Sequence, residues 1–123
     1  MNGRILVDTN ILIELLSGNE RIAAFIDGYE IGISFITEIE LMSNPQLSKS
    51  ELNTLKKLLN NFTKYDILTE EIKMLASMYR RNKIIRKTPD AIILATAGFY
   101  NLPLLTMDAD FQHIKEVDII FIK

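Results

Sequence analysis

Residues 4–16 read Arg4-Ile5-Leu6-Val7-Asp8-Thr9-Asn10-Ile11-Leu12-Ile13-Glu14-Leu15-Leu16, and the change of pattern at Asp8 decides how the chain is organised. Before Asp8, three consecutive apolar residues make a run too short for a helix and suited to a buried strand. After it, Ile11, Leu12, Leu15 and Leu16 recur at helical spacing. Thr9 or Asn10 supplies the cap that starts this helix, and Gly18 ends it. A strand running straight into a helix is the first half of a crossover unit.

The pattern repeats outward from there. A second short helix is expected over 19–27, closing at Gly28. Residues 31–35 read as a second strand, followed by a helix with Ile36, Ile39 and Leu41 or Met42 turned inward. Asn44-Pro45 breaks it. Ser48 or Ser50 caps a longer helix to Asn61, with Leu52, Leu55, Leu58 and Leu59 on one face. Residues 65–68 form a third strand. Thr69 caps the next helix, whose inward residues are Ile72, Leu75, Ala76 and Tyr79. Thr88-Pro89 is a helix start, a cap followed by proline at the first helical position, and that helix runs to Tyr100. Residues 103–106 and 118–122 form the last two strands. Tyr29, Tyr65, Tyr79 and Tyr100 fall among core-like residues and are expected to pack. Strands alternating with helices imply a mostly parallel sheet covered on both faces. No repeat or linker interrupts the 123 residues, the length of one ordinary domain.

Composition narrows the chemistry. Hydrophobic residues make up 48% and charged residues 24%, the balance of a globular domain and not of a disordered chain. With no cysteine, disulfides, thiolate zinc sites and cysteine nucleophiles are excluded. The single histidine, His113, does not make a His-rich zinc site, and it reads as structural or exposed. No basic segment followed by a long apolar run opens the chain, and no apolar run approaches the roughly 20 residues of a membrane span. A cytoplasmic protein is expected. The net charge of −2 is not that of a typical nucleic-acid binder. Five of the 14 basic residues nevertheless crowd into eight positions: Arg80, Arg81, Lys83, Arg86 and Lys87.

The acids carry the functional reading. Asp8 follows the first strand, and Asp108 and Asp110 follow the fourth. Glu38 and Glu40 lie early in the helix after the second strand, and Asp90 lies in the first turn of its own helix. In open parallel sheets ligands bind at the carboxyl ends of the strands, near a switch in strand order. Acids from four separated segments can meet at that edge. Unaided, such carboxylates repel one another and raise each other's pKa. A hard divalent cation with oxygen ligands relieves the repulsion and can polarise a phosphoryl oxygen. Each acid also has an ordinary use: Asp8 as a cap, Asp90 as a charge favoured by the helix dipole, Asp108-Ala109-Asp110 as a turn with Asp110 capping the next residues. Glu38 and Glu40 stand about 200° apart around a helix, so one of them faces solvent.

Four segments taken in order resemble the PIN-domain family, and within it the VapC-like toxins of bacterial toxin–antitoxin pairs. They are Ile5-Leu6-Val7-Asp8-Thr9-Asn10-Ile11-Leu12, Ile33-Ser34-Phe35-Ile36-Thr37-Glu38-Ile39-Glu40-Leu41, Thr88-Pro89-Asp90-Ala91-Ile92-Ile93-Leu94-Ala95-Thr96-Ala97, and Leu105-Thr106-Met107-Asp108-Ala109-Asp110-Phe111. The resemblance implies a single PIN domain over 1–123, a three-layer α/β/α sandwich with a short, mostly parallel central sheet. It implies an endoribonuclease dependent on Mg2+ or Mn2+. Asp8, Glu40, Asp90 and Asp108 match the family's acids, Glu40 better than Glu38 because Leu41 follows it. Asp110 matches an accessory acid. Thr9, Asn10 and Thr106 match polar residues that line the site. Met42-Ser43-Asn44-Pro45 departs from the glycine that family members often carry there, which bears on the following helical clip and not on the acids.

By the same resemblance, an antitoxin protein and a second copy of the chain are expected partners, with Ile11, Leu15, Leu52 and Leu55 as candidates for a docking groove. The cluster Arg80, Arg81, Lys83, Arg86 and Lys87 is expected to contact RNA phosphates; its plainer use is a solvated helix end whose cations favour the dipole. The alternative from another class is a catalytically inactive PIN-like module that binds RNA or protein, which predicts a broken acid set. A haloacid-dehalogenase-type phosphatase needs a second acid two positions after the first, where Asn10 stands, and a lysine near Thr106–Phe111. A receiver domain needs paired acids by its first strand. The chain carries neither pattern.

Overall fold

The computed structural model describes residues 3–123, so residues 1 and 2 of the expected 1–123 domain lie outside the described residues. The chain runs β1 (Arg4–Val7), α1 (Thr9–Leu16), α2 (Glu20–Ile26), β2 (Glu30–Ser34), α3 (Phe35–Met42), α4 (Lys49–Leu59), β3 (Thr63–Tyr65), α5 (Glu70–Arg81), α6 (Thr88–Phe99), β4 (Leu104–Thr106), a 3-10 turn at Ala109–Phe111, and β5 (Ile119–Phe121). All five strands pair in parallel, in the order β3-β2-β1-β4-β5. From central β1 the chain winds outward through β2 and β3. It then crosses back over α5 and α6 to β4 on the other side of β1. The strand order therefore switches between β1 and β4, where Val7 pairs with Leu105.

Side chains alternate across the sheet, and the alternation builds two cores. Ile5 and Val7 join Ile11, Leu12, Ile22, Ile33 and Leu105 beneath α1 to α4. Leu6 and Leu104 point the other way, into a core with Ile72, Tyr79, Ile93, Leu94 and Phe111 under α5 and α6. Helices on both faces make this the expected α/β/α sandwich. Ile11 is fully buried in the first core and so does not line a docking groove; Leu15 and Leu55 only partly pack there.

Several local expectations shift, each for a physical reason. Asp8, not Thr9 or Asn10, caps α1, because its own carboxylate accepts the Thr9 N–H. Ser48 caps α4 in a reciprocal box with Glu51. The third strand begins at Thr63 and not at residue 65, since Gly32, Ile33 and Ser34 of β2 pair with Thr63, Lys64 and Tyr65. α3 starts one residue early, at Phe35, with Thr37 and Leu41 inward; Ile39 is left 55% exposed. Thr88 is the first residue of α6 and makes no cap, because its hydroxyl accepts a hydrogen bond from Arg80. Asp108, not Asp110, caps the 3-10 turn.

Gly32 has a steric role. A Cβ there would lie 2.3 Å from Cε2 of Tyr65, whose ring is buried and held against Tyr100 at 4.7 Å between centroids. The ring cannot swing aside without disturbing that pair. Gly32→Ala is expected to destabilise the fold by about 1–3 kcal/mol, as for an overpacked core, seen as a lower urea midpoint at unchanged slope.

Candidate metal centre

The switch between β1 and β4 sets the site. Asp8 leaves the end of β1 as the cap of α1 and is buried. Its two carboxylate oxygens are both engaged: Oδ1 accepts from Thr9 N at 2.8 Å, and Oδ2 accepts from the Thr106 hydroxyl at 2.8 Å. Thr106 ends β4, and its oxygen also accepts from Asp108 N at 3.0 Å. One threonine thus ties the two acids that flank the switch. Asp108 caps the 3-10 turn by accepting from Asp110 N at 2.9 Å, which brings Asp110 alongside.

Asp90 approaches from the first turn of α6, where Pro89 presets the backbone. Carboxylate oxygens of Asp90, Asp108 and Asp110 lie within 4.8 Å of one another. Glu40 comes from α3. Thr9 Oγ1 donates to Glu40 Oε1 at 2.6 Å, so the residue after Asp8 holds the acid from the neighbouring helix. Glu38 takes the other direction: Lys64 Nζ lies 2.7 Å from its Oε2 and also donates to Asn60. The two glutamates are resolved as their helical spacing requires. Asn10 is exposed.

Electrostatics record the crowding. Burial pushes the Asp8 carboxyl above its ordinary value; the bonds from Thr106 and Thr9 oppose this, and the nearby charges of Asp108 and Glu40 add to it. Asp90 is pushed up to about 6, mainly by burial, then by Asp8 and Asp108; Lys87 opposes and Glu40 adds a little. Among the described residues, no arginine or lysine forms an ion pair with Asp8, Glu40, Asp90, Asp108 or Asp110. A group of carboxylates with hydrogen bonds but no cation suits a hard divalent ion, and the all-oxygen donor set fits Mg2+ or Mn2+ chemistry. Depth does not mark this place. A groove of about 490 Å3 between α5 and α6, beside Lys73 and Arg80, contains none of the acids.

A family model for the PIN domain matches residues 5–117. The chain belongs to the PIN-domain family. PIN domains are as a family nucleases that use divalent metals. A chain of a toxin–antitoxin complex from Klebsiella pneumoniae is 33% identical to this PIN domain, with TM-score 0.79, over 92% of this chain and 94% of the other. FitAcB from Neisseria gonorrhoeae is 25% identical, with TM-score 0.69, over 94% and 95% of the two chains. VapBC2 from Rickettsia felis, bound to a promoter DNA fragment, shares the fold at 18% identity and TM-score 0.78, over 96% and 98%. A comparison with curated proteins returns no match.

The basic residues divide. Arg80 turns back on its own loop, donating from Nε to the Arg86 carbonyl at 3.1 Å and from Nη1 to the Thr88 hydroxyl at 3.0 Å. Arg81, Lys83, Arg86 and Lys87 are exposed, and Lys87 is the one whose charge reaches Asp90. Two contributors escape a sequence reading. Thr37 is fully buried and its hydroxyl stands 3.1 Å from that of Thr9; the one signal for it is a position three residues before Glu40, on the same helix face. Lys64, which removes Glu38 from the site, has no local signal at all. Among the described residues, no helix is long and apolar enough to cross a membrane.

Proposed function

We propose that this PIN domain is an Mg2+- or Mn2+-dependent endoribonuclease and the toxin of a toxin–antitoxin pair, acting in the cytoplasm as a homodimer that a cognate antitoxin restrains. One observation carries the reading: Asp90, Asp108 and Asp110 gather at the strand switch, the charges of buried Asp8 and of Glu40 reach them, and among the described residues no basic side chain forms an ion pair with any of the five. The Klebsiella pneumoniae relative, itself part of a toxin–antitoxin complex, supports the partner.

Asp8, Asp90 and Asp108 would hold the cation, with Asp110 as an accessory ligand. When bound, a divalent ion offsets their mutual repulsion and acts as a Lewis acid on a nonbridging phosphate oxygen. Thr106 keeps Asp8 oriented through its 2.8 Å hydrogen bond. Glu40, held by Thr9, orients and deprotonates the attacking water. Water oxygen bonds to phosphorus, the P–O3′ bond breaks, O3′ takes a proton from solvent as Glu40 keeps the one it removed, and the products are 5′-phosphate and 3′-hydroxyl ends. The exposed cations leading into Asp90 would contact neighbouring phosphates.

End-labelled RNA with Mg2+ or Mn2+, against the same reaction with chelator, is the direct test. Glu40→Gln is expected to reduce cleavage by about 10- to 100-fold, whereas Glu38→Gln is expected to leave it within about twofold, its amide oxygen still able to accept from Lys64. Equal losses in both variants would remove the distinction between the glutamates. Neutralising Arg86 and Lys87 together is expected to flatten the dependence of log affinity on log salt by roughly 1 to 2 units. An unchanged slope would make that segment a solvated helix end.

A further inference from the structure

We propose that Thr37 is a positioning residue for the acidic site: its buried hydroxyl fixes Thr9, and Thr9 fixes Glu40. The inference deepens the nuclease reading, and its geometry is independent of any reaction.

Three oxygens form a line from the interior to the site. Thr37 Oγ1 lies on the inward face of α3 with no exposure. Thr9 Oγ1, on the first residue of α1, is 3.1 Å away. Glu40 Oε1 is 2.6 Å beyond it. Two hydroxyl protons serve these three oxygens. The carboxylate is the strongest acceptor, and 2.6 Å is the length of a charge-assisted O–H···O bond. Thr9 therefore gives its proton to Glu40. Its lone pair is left to accept from Thr37, and both bonds point the same way and strengthen each other.

The far end of this line decides the near end. Glu40 is exposed, and a free glutamate there samples many rotamers. Thr9 is the hydrogen-bond partner that orients it. What keeps the Thr9 hydroxyl turned toward Glu40 is the donor behind it, in a place that water does not reach. Thr37 and Glu40 share a face of α3, while Thr9 adjoins Asp8. The line thus ties Glu40 of α3 to the first residue of α1, next to Asp8.

Thr37→Val removes the hydroxyl and keeps the shape; Thr37→Ser keeps the hydroxyl and removes a methyl. A purely packing role would make Ser the worse variant. The proposal expects the reverse: kcat on labelled RNA with Mn2+ lower by about tenfold in Thr37→Val, KM within about twofold, and near-normal kcat in Thr37→Ser. Full kcat in Thr37→Val, or equal losses in both variants, overturns it. Three-bond couplings of the Thr9 side chain, measured on the protein without metal, give a second reading. One rotamer is expected in the wild type and Thr37→Ser, and an average in Thr37→Val. An unaveraged Thr9 in Thr37→Val overturns the inference even if the wild type cleaves nothing. An averaged Thr9 in an inactive wild-type background upholds the positioning and sinks the nuclease reading instead.

Discussion

Asp8→Asn and Asp90→Asn proteins are expected to lose metal-dependent RNA cleavage by about a thousandfold or more while keeping the fold. A loss of that size corresponds to roughly 4 kcal/mol of transition-state stabilisation, the order expected when a ligand charge is removed from a site that works by electrostatics. The fold survives because asparagine preserves what Asp8 does locally. Its Oδ1 can still accept the Thr9 N–H and start α1. Its amide can donate to the Thr106 hydroxyl, which now lies 2.8 Å from Oδ2. Asp8→Ala separates the two roles. It should be equally inactive and also less stable by about 1 kcal/mol, the usual worth of a cap. Cleavage assays and urea melts on the three variants check this. Wild-type cleavage by both asparagine variants would remove these acids from the chemistry.

Asp90→Asn is also expected to stabilise the metal-free protein at pH 7.5, an unusual result for a site substitution. Asp90 is pushed up to about 6 from an ordinary value of 3.8. A carboxyl whose folded pKa lies above its unfolded value binds its proton more tightly when folded. Its contribution to stability is complete below the unfolded value and is lost as pH rises through the folded one. Metal-free wild type should therefore weaken between pH 4 and about 7, and Asp8 adds to the effect in the same direction. The Asp90→Asn protein should show a shallower decline. Mn2+ at a hundred times its Kd should restore about 2.7 kcal/mol to the wild type, a rise in Tm of roughly 10 °C for a chain of this size, and much less to the variant. Thermal melts across pH, with Mn2+ or with chelator, give both readings. A metal-free wild type with flat stability from pH 5 to 8 would contradict the crowding.

These two predictions rest on acids that were visible in the sequence, because strand ends and helix starts after parallel strands share one edge of a sheet. Asp8, Asp90 and Asp108 needed only the strand and helix boundaries to be placed together. Glu40 needed more. Hydrophobicity turns Ile39 inward, whereas α3 buries Thr37 and leaves Ile39 exposed. Thr37 shares the buried face of this eight-residue helix with Leu41 and has its hydroxyl partner on α1, which apolar periodicity does not register. The same limit explains Thr88, whose hydroxyl serves Arg80 and not its own helix. It also explains Lys64, which meets Glu38 across 26 positions of chain. Local grammar identified the elements and the acids; contacts between distant polar side chains decided which way the acids point.

The capping of α1 by Asp8 has a bearing on how such a site would decay. Glu40 and Asp110 are exposed and their side chains cap no helix, so in a lineage freed from selection for cleavage their replacement costs less than that of Asp8. Asp8 begins a helix and receives Thr106, so its loss weakens the molecule as well as its chemistry. Drift would erode the acids from the outside inward, and a descendant with no activity left would still carry aspartate or asparagine at position 8.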